Sequence, residues 1–544
     1  MFTEPITGER FFGRQEVLDL LNKRVSALKD GYRQNVALTG PSLAGKSSII
    51  LQFLHCAREE GFIPIYIEVI KESFESFADK FVATLLYNSL HKTGEDIPLD
   101  VKSLLEYARE RLPKTYQAAR QIYALIERGQ SDEAYLSLLA LTSTLKSETG
   151  VSCVVILDEF DNLEYLGIKN PFLGFGKIIM VQKDTMYIVS SSRNEAIRKI
   201  ISEKLSLLFG NFEIVKVQNF DIATSNEFLS IRFAGFEMSD SMRKFLIFFS
   251  DGNPFYLDKL TAEAKDIACR KMLGYIDRDC VAESILKLVY SAQGSINQYL
   301  FNYMLSLLDT KSRDYYLQVL TAIANGRNKA LEITRALKSR KTDASKALQR
   351  LLELGLISRN GVFYEIEDVM LNFWLKAVYQ RRRQILIDGT FDKMKVFAEE
   401  VRSHIKNFED ECTMKLELRI SSLFNAFSNE LVTIDSKNMR LPHFTKVESI
   451  KVGDSSAIVV ASFRGTSWVV QAFESAVDEN DVITFIKNAK CAASKVSNRV
   501  ILPLKGIEEN ATLLAKELKI SIWDCNLLNR IFTYYGKEKV VVLP

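Results

Sequence analysis

Gly40-Pro41-Ser42-Leu43-Ala44-Gly45-Lys46-Ser47 satisfies the pattern G-x-x-x-x-G-K-[ST], and it stands where that pattern has chemical meaning. The preceding Asn35-Val36-Ala37-Leu38-Thr39 reads as a short buried strand, and Ile49, Ile50, Phe53 and Leu54 recur afterwards at helical spacing. Glycines at 40 and 45 let the loop turn its backbone amides inward around phosphate oxygens, while the following helix presents its positive end. On this reading Gly40, Pro41, Ser42, Leu43, Ala44, Gly45, Lys46, Ser47 and Ser48 line a nucleotide-phosphate site. The Lys46 ammonium would sit by the β- and γ-phosphates, and the Ser47 hydroxyl would ligate magnesium. The plainer alternative is an ordinary glycine turn between a strand and a helix.

Working outward, Cys153-Val154-Val155-Ile156-Leu157 is an uninterrupted apolar run ending in Asp158-Glu159, the pattern of a strand buried on both faces. At its carboxyl end Asp158 would hold magnesium through a water, and Glu159 would polarise the water that attacks the γ-phosphate. That division of labour implies ATP hydrolysis, with Glu159, Lys46 and Asp158 as catalytic candidates, Ser47 and Asp158 as magnesium ligands, and ATP and Mg as cofactors. The alternative is a set of solvated acids closing a strand, which suits Asp161 and Glu164 better than the pair at 158 and 159. A further strand, Thr185 to Ser190, runs into Ser191-Ser192-Arg193 at the same sheet edge. Ser191 and Arg193 are candidate γ-phosphate sensors; a serine-rich turn followed by a helix N-cap explains them equally well.

The 544 residues are too many for one core and suggest three or four domains. Strands at Val36–Thr39, Pro64–Val69, Cys153–Leu157, Thr185–Ser190 and Glu213–Val217 alternate with helices, so the first domain is expected to be α/β with a parallel sheet, interrupted by a helical insertion at about 74–145. The net charge of +3 gives no global footprint for nucleic acid or membrane. No apolar run is long enough to span a bilayer and the N-terminus lacks a signal-peptide pattern, which points to a cytoplasmic protein with no membrane partner. Seven scattered cysteines and four scattered histidines suggest neither a disulfide framework nor a transition-metal site.

Phe11-Phe12-Gly13-Arg14-Gln15-Glu16 and Gly252-Asn253-Pro254, added to the loop and the acidic strand, resemble P-loop ATPases of the STAND class, close to the archaeal-type ATPases and related to AAA+ proteins. The resemblance implies that Gly13 and Arg14 lie near the adenine and that Pro254 senses nucleotide through a helical lid. It also implies a winged helix and a nuclease-like tail. Where that family commonly has Gly-Arg before the last core strand, this chain has Gly210-Asn211, leaving Arg193 or Arg198 as substitutes for an arginine finger.

From about Lys311 the pattern becomes three short helices and a hairpin folded over Asn360-Gly361, the order of a winged helix-turn-helix. Between Thr321 and Asn360 nine basic residues face three acidic ones, the strongest local signal for DNA. In the third helix Ala347, Leu348, Leu351 and Leu352 are expected inside, with Ser345, Lys346, Gln349 and Arg350 outside, where Lys346 and Arg350 would meet double-stranded DNA. The competing reading is a packing module that holds the ATPase closed. Arg381-Arg382-Arg383 would either touch phosphates or form a solvated helix face.

The expected division is therefore 1–235 ATPase core, 236–308 helical lid, 309–394 winged helix and 395–544 α/β tail, the last entered by a helical stretch from about Phe397 to Leu431. The tail resembles Mrr-like restriction endonucleases through the hairpin at Arg464-Gly465. That chemistry needs a carboxylate on the first strand and a lysine on the second, and here Ser456 or Ala457 and Phe473 stand in those places, with Asp454 and Glu474 out of register. An inactive nuclease-like fold is expected. Three functions compete: an ATP-hydrolysing switch coupled to DNA or partner binding, an active ATP-dependent nuclease, and a non-hydrolysing nucleotide-bound adaptor for protein partners or self-association.

Overall fold

The computed structural model describes residues 4–57, 61–91, 97–193, 197, 200, 212–308, 310–384, 391–434, 437–452 and 456–543. Arg198, Gly210, Asn211 and Asp454 lie outside the described residues. The chain forms two compact units that meet in sequence between Asn219 and Phe220.

In the first unit, helix α1 (Gln15–Lys29) precedes β1 (Asn35–Thr39), α2 (Lys46–Cys56) and β2 (Ile63–Glu68). Four helices follow, α3 (Phe74–Leu90), α4 (Val101–Arg111), α5 (Pro113–Glu127) and α6 (Ser131–Thr149), so the expected insertion is present and runs four residues further than its sequence pattern indicates. Then come β3 (Cys153–Asp158), α7 (Pro171–Val181), β4 (Thr185–Ser191) and β5 (Phe212–Lys216). The strands pair in parallel in the order β2-β3-β4-β1-β5. Alternation along each strand feeds two cores. Val36, Leu38, Val154, Ile156, Met186 and Ile188 pack with α1 and α2, whereas Ala37, Val155, Leu157, Tyr187 and Val189 pack with the inserted helices and α7. A sheet covered on both faces explains why β3 reads as unbroken apolar sequence.

The second unit begins with helices Ile222–Arg232, Asp240–Ser250, Pro254–Arg270, Arg278–Ile285 and Ser295–Leu307, among which the short strands β6 (Glu237–Met238) and β7 (Tyr275–Ile276) pair in parallel. Helices Arg313–Ala324, Ala330–Ala336 and Lys341–Glu353 follow, then the hairpin β8 (Ile357–Asn360) and β9 (Phe363–Ile366). Asn360 pairs with Phe363, so the two-residue turn is Gly361-Val362 and not the expected Asn360-Gly361. Along Lys341–Glu353 Ala344 joins the buried face, Leu352 is only half-buried, and Ser345, Lys346, Gln349 and Arg350 are exposed as expected. Arg381 pairs with Glu400 and Arg382 donates to the Tyr290 carbonyl, so neither is a free solvated cation.

The expected helical entry to the tail ends earlier than Leu431. Helices Phe391–Thr413 and Leu416–Asn425 give way to an antiparallel pair, β10 (Glu430–Ile434) and β11 (Lys437–Leu441), because the β-branched run from Val432 to Ile434 favours strand. A mixed five-stranded sheet follows in the order β12 (Lys446–Val452), β13 (Ser456–Phe463), β14 (Thr466–Phe473), β15 (Val496–Pro503) and β16 (Ser521–Ile522). Arg464 and Gly465, both at positive φ, make the tight turn between β13 and β14. Among the described residues no helix is long and apolar enough to cross a membrane.

Candidate nucleotide site

The site forms where β1, β3 and β4 end. Because β4 lies between β1 and β3, its last residues stand between loop 40–45 and the acids at 158 and 159. Gly40 has to be glycine, since a Cβ there would lie 1.9 Å from the Val217 carbonyl oxygen. Leu43 (φ +62°) and Gly45 (φ +95°) turn the backbone left-handed immediately before α2. A non-glycine residue held in that region is strained, and such strain is characteristic of ligand clamps.

Lys46 is 4 % exposed, and its Nζ donates to the carbonyls of Gly40 (3.0 Å) and Pro41 (2.8 Å). Burial lowers its pKa, with Glu159, Asp158 and Asp161 opposing that shift. Ser47 Oγ donates to Asp158 Oδ2 at 2.6 Å, so the loop and the acidic strand are joined directly. Tyr66 OH also donates to Oδ2 (3.1 Å), while Ser190 Oγ and the Glu159 amide donate to Oδ1. Asp158 is thereby fixed from β2, β4 and α2 together.

Glu159 leaves the strand at φ +52° and is swung toward β4, where Ser192 Oγ donates to Oε1 at 2.6 Å. Burial raises its pKa, Lys46 and the Ser192 hydroxyl oppose that shift, and Asp158 and Asp161 add to it. Asp161 is 1 % exposed, which corrects its reading as a solvated acid. It accepts from Ser191 Oγ (2.6 Å) and pairs with Arg193, whose other carboxylate neighbour is Glu164 at 3.5 Å. Burial works against the Arg193 charge, but Asp161, Tyr165 and Glu164 outweigh it and hold the guanidinium above its ordinary pKa. Three consecutive serines thus meet three carboxylates: Ser190 with Asp158, Ser191 with Asp161, Ser192 with Glu159.

Gly13 (φ +68°) and Arg14 (φ +66°) form the left-handed entry to α1. The Arg14 guanidinium donates to the carbonyls of Ala44 (3.3 Å) and Gln218, tying the phosphate loop to the end of β5. Ser48 accepts from the Ile6 amide at 3.0 Å, so its hydroxyl holds the N-terminal segment on α2. Pro254 stands in the second unit as the first residue of helix Pro254–Arg270, capped by Asn253, whose Oδ1 accepts from the Phe255 amide.

The donors around Ser47 and Asp158 are hard oxygens, the set magnesium prefers. Among the described residues no group of three or more His, Cys, Asp or Glu is arranged to hold a metal by itself.

Residues 10–167 match the family model described as an AAA ATPase domain. The matched stretch lies within the first unit and includes the loop 40–47 and the acids at 158 and 159. Among solved structures, the chain is similar to a Walker-type ATPase of Pyrococcus abyssi at 20 % identity, over 69 % of this chain and 99 % of that one, with a TM-score of 0.48. It is similar to the ORC2 protein of Aeropyrum pernix at 14 % identity, over 70 % and 98 %, with a TM-score of 0.44. The ORC1 protein of the same organism, solved with DNA, is similar at 14 % identity, over 70 % and 96 %, with a TM-score of 0.39. No curated protein matches.

Within the first unit, the structure joins Ser47 to Asp158 and sets Lys46 close to both Asp158 and Glu159. It commits Ser191 and Arg193 to Asp161 and not to the loop. Tyr66, Ser190 and Ser192 are the site residues that sequence reasoning passed over. The signal for the serines was the run at 190–192; Tyr66 carried none, because its hydroxyl reaches the site across a residue separation of 92.

Proposed function

We propose that this chain is an ATP-hydrolysing molecular switch, with its reaction centre at the carboxyl edge of the N-terminal sheet and its output in the second unit. The observation that carries this is the 2.6 Å hydrogen bond from Ser47 to Asp158, flanked by buried Lys46 and half-buried Glu159. The loop amides and Lys46 bind and orient the triphosphate, and Ser47 and Asp158 hold magnesium. Bound magnesium would neutralise charge on the β- and γ-phosphates. Glu159 orients the attacking water and takes its proton, a task supported by the Ser192 Oγ hydrogen bond that fixes its carboxylate. Ser191 and Arg193, both held by Asp161, sense the γ-phosphate. Gly13 and Arg14 contact the nucleoside end, and Pro254 reports nucleotide state to the lid helix it begins.

The finer assignments belong to the same proposal. The chain is a STAND-class, archaeal-type ATPase divided at 1–235, 236–308, 309–394 and 395–544, and the third segment is a winged helix. Its helix Lys341–Glu353 presents Ser345, Lys346, Gln349 and Arg350 to duplex DNA, a reading supported by their exposure on one face. The tail is a nuclease-like fold without cleavage activity, supported by Phe473 at the lysine position of β14 and by Glu474 lying exposed beyond the strand end. The proposal is tested by titrating duplex DNA against the protein with ATP, with ADP and without nucleotide, while measuring turnover. A switch gives reciprocal effects of DNA on nucleotide affinity and of nucleotide on DNA affinity. Turnover and both affinities that ignore each other reduce the chain to an uncoupled ATPase.

A further inference from the structure

The tip of hairpin β8–β9 is covered on one side, with Gly361 half-buried and the Val362 side chain exposed. Its tip is seated on the first strand of the tail, β10: the Val362 amide donates to the Leu431 carbonyl at 3.1 Å, and the Asn360 side chain bonds both backbone groups of Thr433, accepting from its amide (2.6 Å) and donating to its carbonyl (3.2 Å). Gly361 is required for this approach. A Cβ there would lie 1.9 Å from the Leu431 carbonyl oxygen, and its φ of +59° is left-handed. On the other hairpin strand Phe363 is 1 % exposed, stacks on Tyr534 with ring centres 4.8 Å apart, and belongs to the hydrophobic core of the tail. Lys329, next to the hairpin, pairs with Glu430 at 2.9 Å, and Glu430 also accepts from Tyr535 OH.

These contacts divide the basic module in two. Lys329 is the half-buried member of the nine cations between 321 and 360, consumed by Glu430. Arg359, on the hairpin itself, folds back to donate to the Gly361 carbonyl at 3.0 Å and lies over the Tyr364 ring. On helix Lys341–Glu353, by contrast, Lys341, Ser345, Lys346 and Gln349 are exposed on one face, where Gln349 donates to Glu353 and Arg350 pairs with the same acid at 3.3 Å.

We propose that the hairpin is an intramolecular clamp holding the tail, and that duplex DNA engages the module through the exposed face of helix Lys341–Glu353 alone, with the hairpin tip taking no part. The DNA half rests on the proposed function; the clamp half does not. A double-stranded ligand is favoured because the exposed face sets the ammonium groups of Lys341 and Lys346 beside the hydrogen-bonding side chains of Ser345 and Gln349, a mixture that suits a groove flanked by phosphates.

The experiment uses the full chain. Hydrogen exchange is followed at the Thr433 and Val362 amides in Gly361→Ala and in the milder Asn360→Ala, and affinity for a labelled duplex is measured for Lys346→Glu and Arg359→Glu. The clamp requires exchange at these amides to rise by about tenfold or more in Gly361→Ala, with a smaller rise in Asn360→Ala confined to Thr433. Wild-type protection in both variants overturns it. Helix-only engagement requires Lys346→Glu to weaken binding by about tenfold while Arg359→Glu stays within about twofold. Equal losses from the two variants overturn that half and return the hairpin to the DNA surface. No duplex binding in any nucleotide state, with the Thr433 amide still released by Gly361→Ala, removes the DNA reading and leaves the clamp standing.

Discussion

Replacing Glu159 by glutamine separates binding from chemistry at the candidate site. The amide is nearly isosteric, so Ser192 Oγ can still donate to it and the left-handed exit from β3 is undisturbed. What disappears is the carboxylate that accepts a proton from water. Loss of a positioned general base lowers turnover by roughly 10²- to 10⁴-fold, or about 3–5 kcal/mol of barrier. Binding should move the other way. A carboxylate near a polyanion repels it, so removal of that charge preserves or tightens ATP affinity. Single-turnover phosphate release and equilibrium binding of a fluorescent ATP analogue, measured on the same preparation, read the two effects. Turnover within threefold (roughly 0.6 kcal/mol) of wild type would refute the role given to Glu159.

The other expectations concern what holds the two units together internally. Gly40→Ala drives a Cβ to 1.9 Å from Val217 O, so the loop or the end of β5 has to move; roughly 1–3 kcal/mol of stability and ATP affinity should be lost together, read by thermal melting and titration. Tyr256→Phe removes the 2.6 Å hydrogen bond from helix Pro254–Arg270 to Asp368, whose pKa burial already raises, and should destabilise the second unit by roughly 1–3 kcal/mol in denaturant melts without touching ATP binding. Glu538 has a pKa pushed up to about 7, first by burial and then by Glu411, against Arg419 and Lys376. A carboxyl raised above its unfolded value is favourable to folding while protonated, and that contribution is lost as pH rises through about 7. Glu538→Gln should therefore gain up to about 3 kcal/mol over wild type between pH 4.5 and pH 8, and a pH-independent difference would contradict the assignment.

How much was legible beforehand follows from how local each signal is. The phosphate loop and β3 were readable because eight and seven consecutive residues carry their whole meaning, and the structure joins them through Ser47 and Asp158. The pairing of Asp161 with Arg193 was not, since an acid one turn past a strand looks solvated until β4 brings a cation to it across 32 residues. The hairpin was visible as Asn-Gly, yet its register slipped by one because Asn360 is spent on Thr433 and remains in the strand. The seat under Gly361 left no trace in sequence: an exposed turn and a buried one both ask for glycine.

Calorimetric titration of Mg-ATP into the wild-type protein and into Lys46→Ala tests the central claim most directly. A triphosphate site at the loop gives saturable one-to-one binding in the wild type and a loss of at least about 2–3 kcal/mol, a hundredfold, once the ammonium is gone. Equal affinity in the two proteins, or no heat in either, would contradict it.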